Sequence, residues 1–113
     1  MKYACLVYLA PEKLHAVKDS ECMACGEGLQ KSGLLVAAEA LQPIDTATTV
    51  RIRNGKMSIT DGPFAETKEQ LGGYYLIDVP NIDEALKWAS KCPSAKNGSI
   101  EVRPVRVFDN MPK

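Results

Sequence analysis

The sequence is poor in the residues that usually announce a chemistry. In 113 residues it has one histidine, one tryptophan and two phenylalanines. A Ser-His-Asp or Cys-His nucleophile system would depend on His15, which precedes the first expected helix and is expected to be exposed, so hydrolase readings weaken. Neither sign of charge is in excess: 14 Lys and Arg balance 14 Asp and Glu. That balance removes the bulk electrostatic argument for nucleic acid or an anionic membrane, although a local basic patch remains compatible with it. No apolar run approaches the roughly 20 residues of a spanning helix. The apolar start, Met1 to Ala10, carries a single basic residue, Lys2, lacks a convincing small-residue cleavage site and is closed by Pro11-Glu12-Lys13, so a cytoplasmic protein is expected. No glycine-rich phosphate loop is present, because Gly72-Gly73 leads into a strand and not a helix.

What is present suits one ordinary domain spanning residues 1–113. Apolar residues make up 45% and charged residues 25%, enough for one core and too apolar for disorder. Cysteines stand at 5, 22, 25 and 92. A chain of this size builds a core without staples, so free thiols are expected. Cys22-Met23-Ala24-Cys25 is a C-x-x-C, but a structural zinc site needs four ligands and would have to recruit Cys92 and His15. A thioredoxin-like role would want the pair at a helix start beneath a strand, which fits in part. The competing reading is that both cysteines are small buried hydrophobes of a helix. No metal and no cofactor is expected.

Residues 3–9 read as a strand apolar on both faces, with Tyr3, Cys5, Val7 and Leu9 on one side and Ala4, Leu6 and Tyr8 on the other. Residues 19–31 read as a helix, capped by Asp19 or Ser20, with Cys22, Cys25 and Leu29 on one face. Gly26 and Gly28 weaken it by about 1 kcal/mol each, and Gly33 stops it. Leu34 to Leu41 is an apolar strand with Glu39 inside it. Thr48 to Arg53 alternates cleanly, and Asn54-Gly55 before Lys56 to Ile59 is a strong hairpin signal. A turn at Asp61-Gly62-Pro63, a polar connection over 64–71 and a strand from Tyr74 to Val79 follow. Pro80, Asn81 and Glu84 form a capping-box arrangement for a second helix. Its stripe is Ile82, Ala85, Leu86 and Ala89, flanked by Trp88, and Pro93 ends it. A turn over 94–99 leads to a last strand, Ile100 to Val107, in which Pro104 signals an edge or a bulge.

This order predicts an α+β fold, a mainly antiparallel sheet with two helices on one face. Two helices cover one face only, and the strands are apolar on both. The uncovered face is therefore expected to pack on a second copy, making a homodimer.

The run Asp61-Gly62-Pro63-Phe64-Ala65-Glu66-Thr67-Lys68-Glu69, followed by Leu71-Gly72-Gly73-Tyr74-Tyr75, closely resembles the signature of the YCII-related, or DGPF, family. Ser99 to Val105 resembles the family's closing strand, and Ala47 to Arg51 its hairpin. The resemblance implies a ferredoxin-like protomer of the dimeric α/β barrel. It implies a small-molecule-binding protein, with related barrels among isomerases and monooxygenases. Some members neighbour or fuse to extracytoplasmic-function sigma factors, which implies a regulatory alternative. The resemblance also sets Asn97 where many relatives carry a histidine.

Asp61 has two readings, a turn aspartate or a general base held on a rigid loop next to Pro63. Glu66, Lys68 and Glu69 are either a solvated cluster or a group in which Lys68 holds an anionic moiety. Glu39 needs a donor if it points inward, and Arg51, Arg53 and Arg103 are the candidates. Glu101 and Arg103 share a strand face and can pair. Of Tyr74 and Tyr75, which face opposite ways, one packs and the other is free to offer its hydroxyl to a substrate. The candidate catalytic residue is thus Asp61, and the candidate binding residues are Glu39, Arg51, Lys68, Tyr74 and Arg103.

Overall fold

The computed structural model describes residues 1–13 and 19–108, with side chains of the first helix described from Met23 onward. His15, the side chains of Asp19, Ser20 and Cys22, and the tail beyond Phe108 therefore lie outside the described residues.

Strand β1 (Lys2–Leu9) is followed by helix α1 (Asp19–Lys31), strand β2 (Leu35–Ala40), the pair β3 (Thr48–Arg53) and β4 (Lys56–Asp61), strand β5 (Gln70–Asp78), helices α2 (Ile82–Ser90) and α3 (Ser94–Asn97), and strand β6 (Ser99–Pro104). The main sheet has the order β2-β5-β1-β6, with every neighbouring pair antiparallel. With β3 and β4 set aside, this is the β-α-β-β-α-β ferredoxin-like arrangement. The fold is α+β.

Strand alternation decides what the helices cover. Tyr3 and Cys5 of β1 and Tyr75 and Ile77 of β5 point to one side and form the core with Leu29, Val79, Ala85 and Cys92. Ala4, Leu6 and Tyr8 take the other side and are only partly covered. Helix α1 contributes Leu29 and Cys25 to the core and ends where Gly33 turns left-handed at φ 74°.

Helix α2 starts as its capping residues require, the Asn81 side chain accepting a 3.0 Å hydrogen bond from the Glu84 N–H. Its buried face differs from the expected stripe. Ala85 and Ala89 are buried and Trp88 packs on the core, whereas Ile82 and Leu86 remain 40% and 49% exposed. The two alanines let the helix lie close to the sheet, which turns the larger side chains outward. Residues 94–97, expected as a turn, form the short helix α3. Pro93 before it has no N–H to lose, and Gly98 N–H closes on Ser94 carbonyl at 2.8 Å.

Strand β5 begins earlier than expected and includes Gly72-Gly73. Its register against β1 shifts between Val7 and Tyr8, leaving Gly72 as the extra residue of a bulge. At Gly73 a Cβ would sit 2.9 Å from the Glu39 carbonyl oxygen, so the close approach of β2 needs glycine there. Pro104 closes β6, an edge strand that ends there and does not run on to Val107.

Strands β3 and β4 form a separate two-stranded sheet. Asn54 and Gly55 both take left-handed conformations, φ 54° and 75°, the tight turn that their identities favour. Asp61 belongs to β4, opposite Thr48, and does not open the turn that follows.

Candidate functional site

A cavity of about 510 Å³ lies between α1, the start of α3 and the helix side of the sheet. Its size is in the range of small-molecule sites. Cys25 and Leu29 come from α1, Leu35 and Ala38 from β2, Tyr75 from β5, Cys92 from the link between α2 and α3, and Ser94 from the start of α3. The walls are mostly apolar, and among the described residues that line it only Glu39 carries a charged side chain.

Tyr75 stands at the inner wall. Its hydroxyl is shut away from water and makes no hydrogen bond of acceptable geometry among the described residues. The Cys92 thiol lies close enough to act on it, but sulfur is a weak partner. Burial first, and then Cys92, push the phenol's pKa well above its ordinary range. The neighbouring Cys5 thiol is pushed up to about 11 by burial, with a smaller contribution from Cys92. Both groups are neutral near pH 7, so Cys5 offers no thiolate. Cys25 packs on the same core from α1, in keeping with a cysteine acting as a small hydrophobe.

The signature motif is built differently. Gly62 has φ 101°, a conformation that L side chains rarely adopt, and its N–H donates to the Ala47 carbonyl at 2.7 Å. The Thr49 hydroxyl donates to the Gly62 carbonyl at 2.8 Å. The Arg51 guanidinium donates to the Phe64 carbonyl at 3.4 Å and lies 5.8 Å from the centre of that ring. Further on, the Gln70 amide donates to the carbonyls of Ala65 and Thr67 at 2.8 and 3.0 Å, and the Ser99 hydroxyl donates to the Glu69 carboxylate at 2.7 Å. The motif is thus stitched to the hairpin at one end and to β6 at the other.

The candidate residues divide accordingly. Glu39 and Tyr74 border the cavity, although alternation sets their side chains on the face opposite Ala38 and Tyr75, whereas Asp61, Arg51, Lys68 and Arg103 do not touch it. Asp61 is exposed, and its carboxylate makes no hydrogen bond or ion pair among the described residues, so it does not cap its own turn. Lys68 and Glu66 are exposed. Glu39 is exposed on β2 opposite Tyr74 and meets none of Arg51, Arg53 or Arg103 within the chain. Arg103 pairs instead with Glu101 of its own strand at 3.5 Å, with both side chains largely exposed. Tyr74 and Tyr75 do face opposite ways, Tyr75 into the core and Tyr74 partly exposed. Sequence reasoning missed Ala38, Cys92 and Ser94 as cavity residues. Ala38 was recoverable from strand alternation. Cys92 and Ser94 were not, because their positions follow from the unexpected helix α3.

Among the described residues no three His, Cys, Asp or Glu side chains are placed to hold a metal ion. None of the described helices is long and apolar enough to cross a membrane.

A ferredoxin-like α+β domain carrying this motif defines a class, and comparison with known proteins agrees. The YCII-related domain matches residues 1–109, and the chain belongs to that family. It is also similar to an uncharacterized protein of Rhizobium meliloti (strain 1021), 45% identical over 80 residues, which are 69% of this chain and 64% of that protein. The match thus spans a little under two thirds of the relative's length.

Proposed function

We propose that the protein is a cytoplasmic small-molecule-binding domain that works as a homodimer and takes its ligand into the cavity between α1 and the sheet. The observation that carries this reading is the cavity itself, about 510 Å³ and walled mostly by apolar side chains, with the Tyr75 phenol at its inner end. Such walls suit a compact, mainly apolar molecule. Acid/base chemistry of an isomerase or lyase type, without a cofactor, would fall to Asp61 only where a second copy completes a substrate surface around it, because Asp61 is outside the cavity of its own chain. Lys68, Arg51 and Arg103 would then belong to that outer surface, and Glu39 and Tyr74 to the cavity's edge, their side chains lying on the strand face turned away from the helices.

The test is a ligand screen by NMR with ring-containing neutral compounds of roughly 10–20 heavy atoms, run on the native chain and on Ala38→Trp. Ala38 lines the cavity from an exposed strand position, so the indole fills the space with little strain on the core. Binding that shifts the amides of β2, β5 and α1 and is lost in Ala38→Trp is the expected result. Hits unaffected by the filled cavity would overturn the reading, as would the absence of any hit. A regulatory module acting with a sigma factor has no need of the cavity, and its complex would survive the same substitution.

A further inference from the structure

Hairpin β3–β4 presents an apolar face that none of the described residues covers. Val50 lies opposite Ile59 and Ile52 opposite Met57, so alternation sets all four side chains on one face. They are 61–65% exposed. Together they make a bare patch on the order of 400 Å², the size at which an apolar patch marks an interaction site. An isolated two-stranded hairpin is marginal in water, so an arm of six cross-strand pairs needs a surface to lie on.

Its own sheet does not serve. The molecule is a slab of 46 × 42 × 20 Å, and the short dimension holds the sheet and its helix layer, with no third layer among the described residues. A radius of gyration of 15.9 Å exceeds the roughly 13 Å expected for a domain of this length, so the arm projects sideways. The sheet face turned away from the helices is left open as well. It carries Leu6, Tyr74 and Leu76 in adjacent register positions, all incompletely buried. The opposite face and tip of the arm carry Arg51, Arg53 and Lys56, while Glu39 and Glu101 lie beside Tyr74 and Leu6 on the sheet.

We propose that the arm is an intersubunit clasp, with the apolar face of β3–β4 lying on the open sheet face of a second copy of this chain. The inference rests on the homodimer reading and specifies how the dimer closes. A two-fold axis uses each arm and each sheet face once per protomer, and two arms with two sheet faces approach the roughly 1,200–2,000 Å² of a stable interface.

Two measurements test the clasp. A photo-crosslinking phenylalanine at position 59, in a mixture of light- and heavy-nitrogen chains, is expected to join unlike-labelled chains, from residue 59 to the stretch around Leu6 or Tyr74–Leu76. Crosslinks confined to like-labelled chains or to other surfaces would overturn it. Ile52→Asp with Ile59→Asp is expected to raise the dimer dissociation constant, read by sedimentation, by at least about a hundredfold. An unchanged constant would sink the clasp and leave the homodimer standing. A native chain that sediments as a monomer at 100 μM (an arbitrary but demanding concentration) would remove both. If the double variant fails to fold, the crosslinks on the otherwise native chain still decide.

Discussion

A tyrosine hydroxyl shut away from water without a good acceptor costs stability of about 1–3 kcal/mol, and Tyr75 is in that position. Tyr75→Phe keeps the ring that packs the core and removes only the unpaired group. The variant is expected to unfold in urea at the same or higher midpoint, with a gain of about 1 kcal/mol. A loss of that size would mean that the Cys92 thiol is a better partner than its geometry suggests. Cys5 supplies the pH counterpart. Its thiol ordinarily titrates near 9.0 and in the folded chain near 11, raised chiefly by burial. Between those values the unfolded chain has lost a proton that the folded chain keeps, so stability falls as pH rises from about 9 to about 11 and levels off beyond. Below pH 9 the thiol is neutral in both states and contributes no slope. Cys5→Ala should flatten that part of a stability–pH curve, whatever the packing loss does to its height. Alkylation of Cys5 in the native chain at pH 8 should be slow compared with the denatured chain. These environments were only half legible in the sequence. Alternation put Cys5 and Tyr75 on definite strand faces, but not which face the helices would choose or that Cys92 would arrive beside them.

Among the elements, the motif loop and helix α2 depend most visibly on particular residues. Gly62 at φ 101° makes Gly62→Ala strained despite the open space around it, and a cost of roughly 1–3 kcal/mol is expected, read from thermal unfolding. Because Thr49 and Ala47 both bond to Gly62, the same change should speed hydrogen exchange in the 47–64 segment before the main sheet. Asn81→Ala removes the one side-chain cap of α2 and should cost about 1 kcal/mol, whereas Ile82→Ser, at an exposed position, should cost less than half as much. That contrast corrects the sequence reading, in which Ile82 belonged to the buried stripe. Periodicity alone places Ile82 and Leu86 beside Ala85 and Ala89, and only the distance between helix and sheet decides which pair is buried.

At the scale of the whole molecule, the open face of a four-stranded sheet and a projecting apolar arm are both unfinished surfaces. Leu6→Asp on the open sheet face is expected to shift sedimentation toward the monomer while leaving far-UV circular dichroism unchanged, because Leu6 lies outside the core cluster. Weakened association at unchanged fold would place the dimer contact on that face.

The sequence by itself determined the six strands, the two longer helices and their order, the hairpin turn at Asn54-Gly55, the cap at Asn81 and the family. These rest on local rules: side chains alternate along a strand, asparagine and glycine tolerate left-handed turns, and a short polar side chain satisfies a helix's first N–H groups. Tertiary structure alone decided the rest. Strand order brought Ala38 of β2 and Tyr75 of β5 into register, and the packing of α1 and α3 over them left the cavity. Asp61, the most conspicuous acid of the motif, was turned to the outside because its strand left the main sheet to form the arm. Such outcomes depend on contacts between residues far apart in the chain, and local pattern does not encode the spacing of the layers that make them.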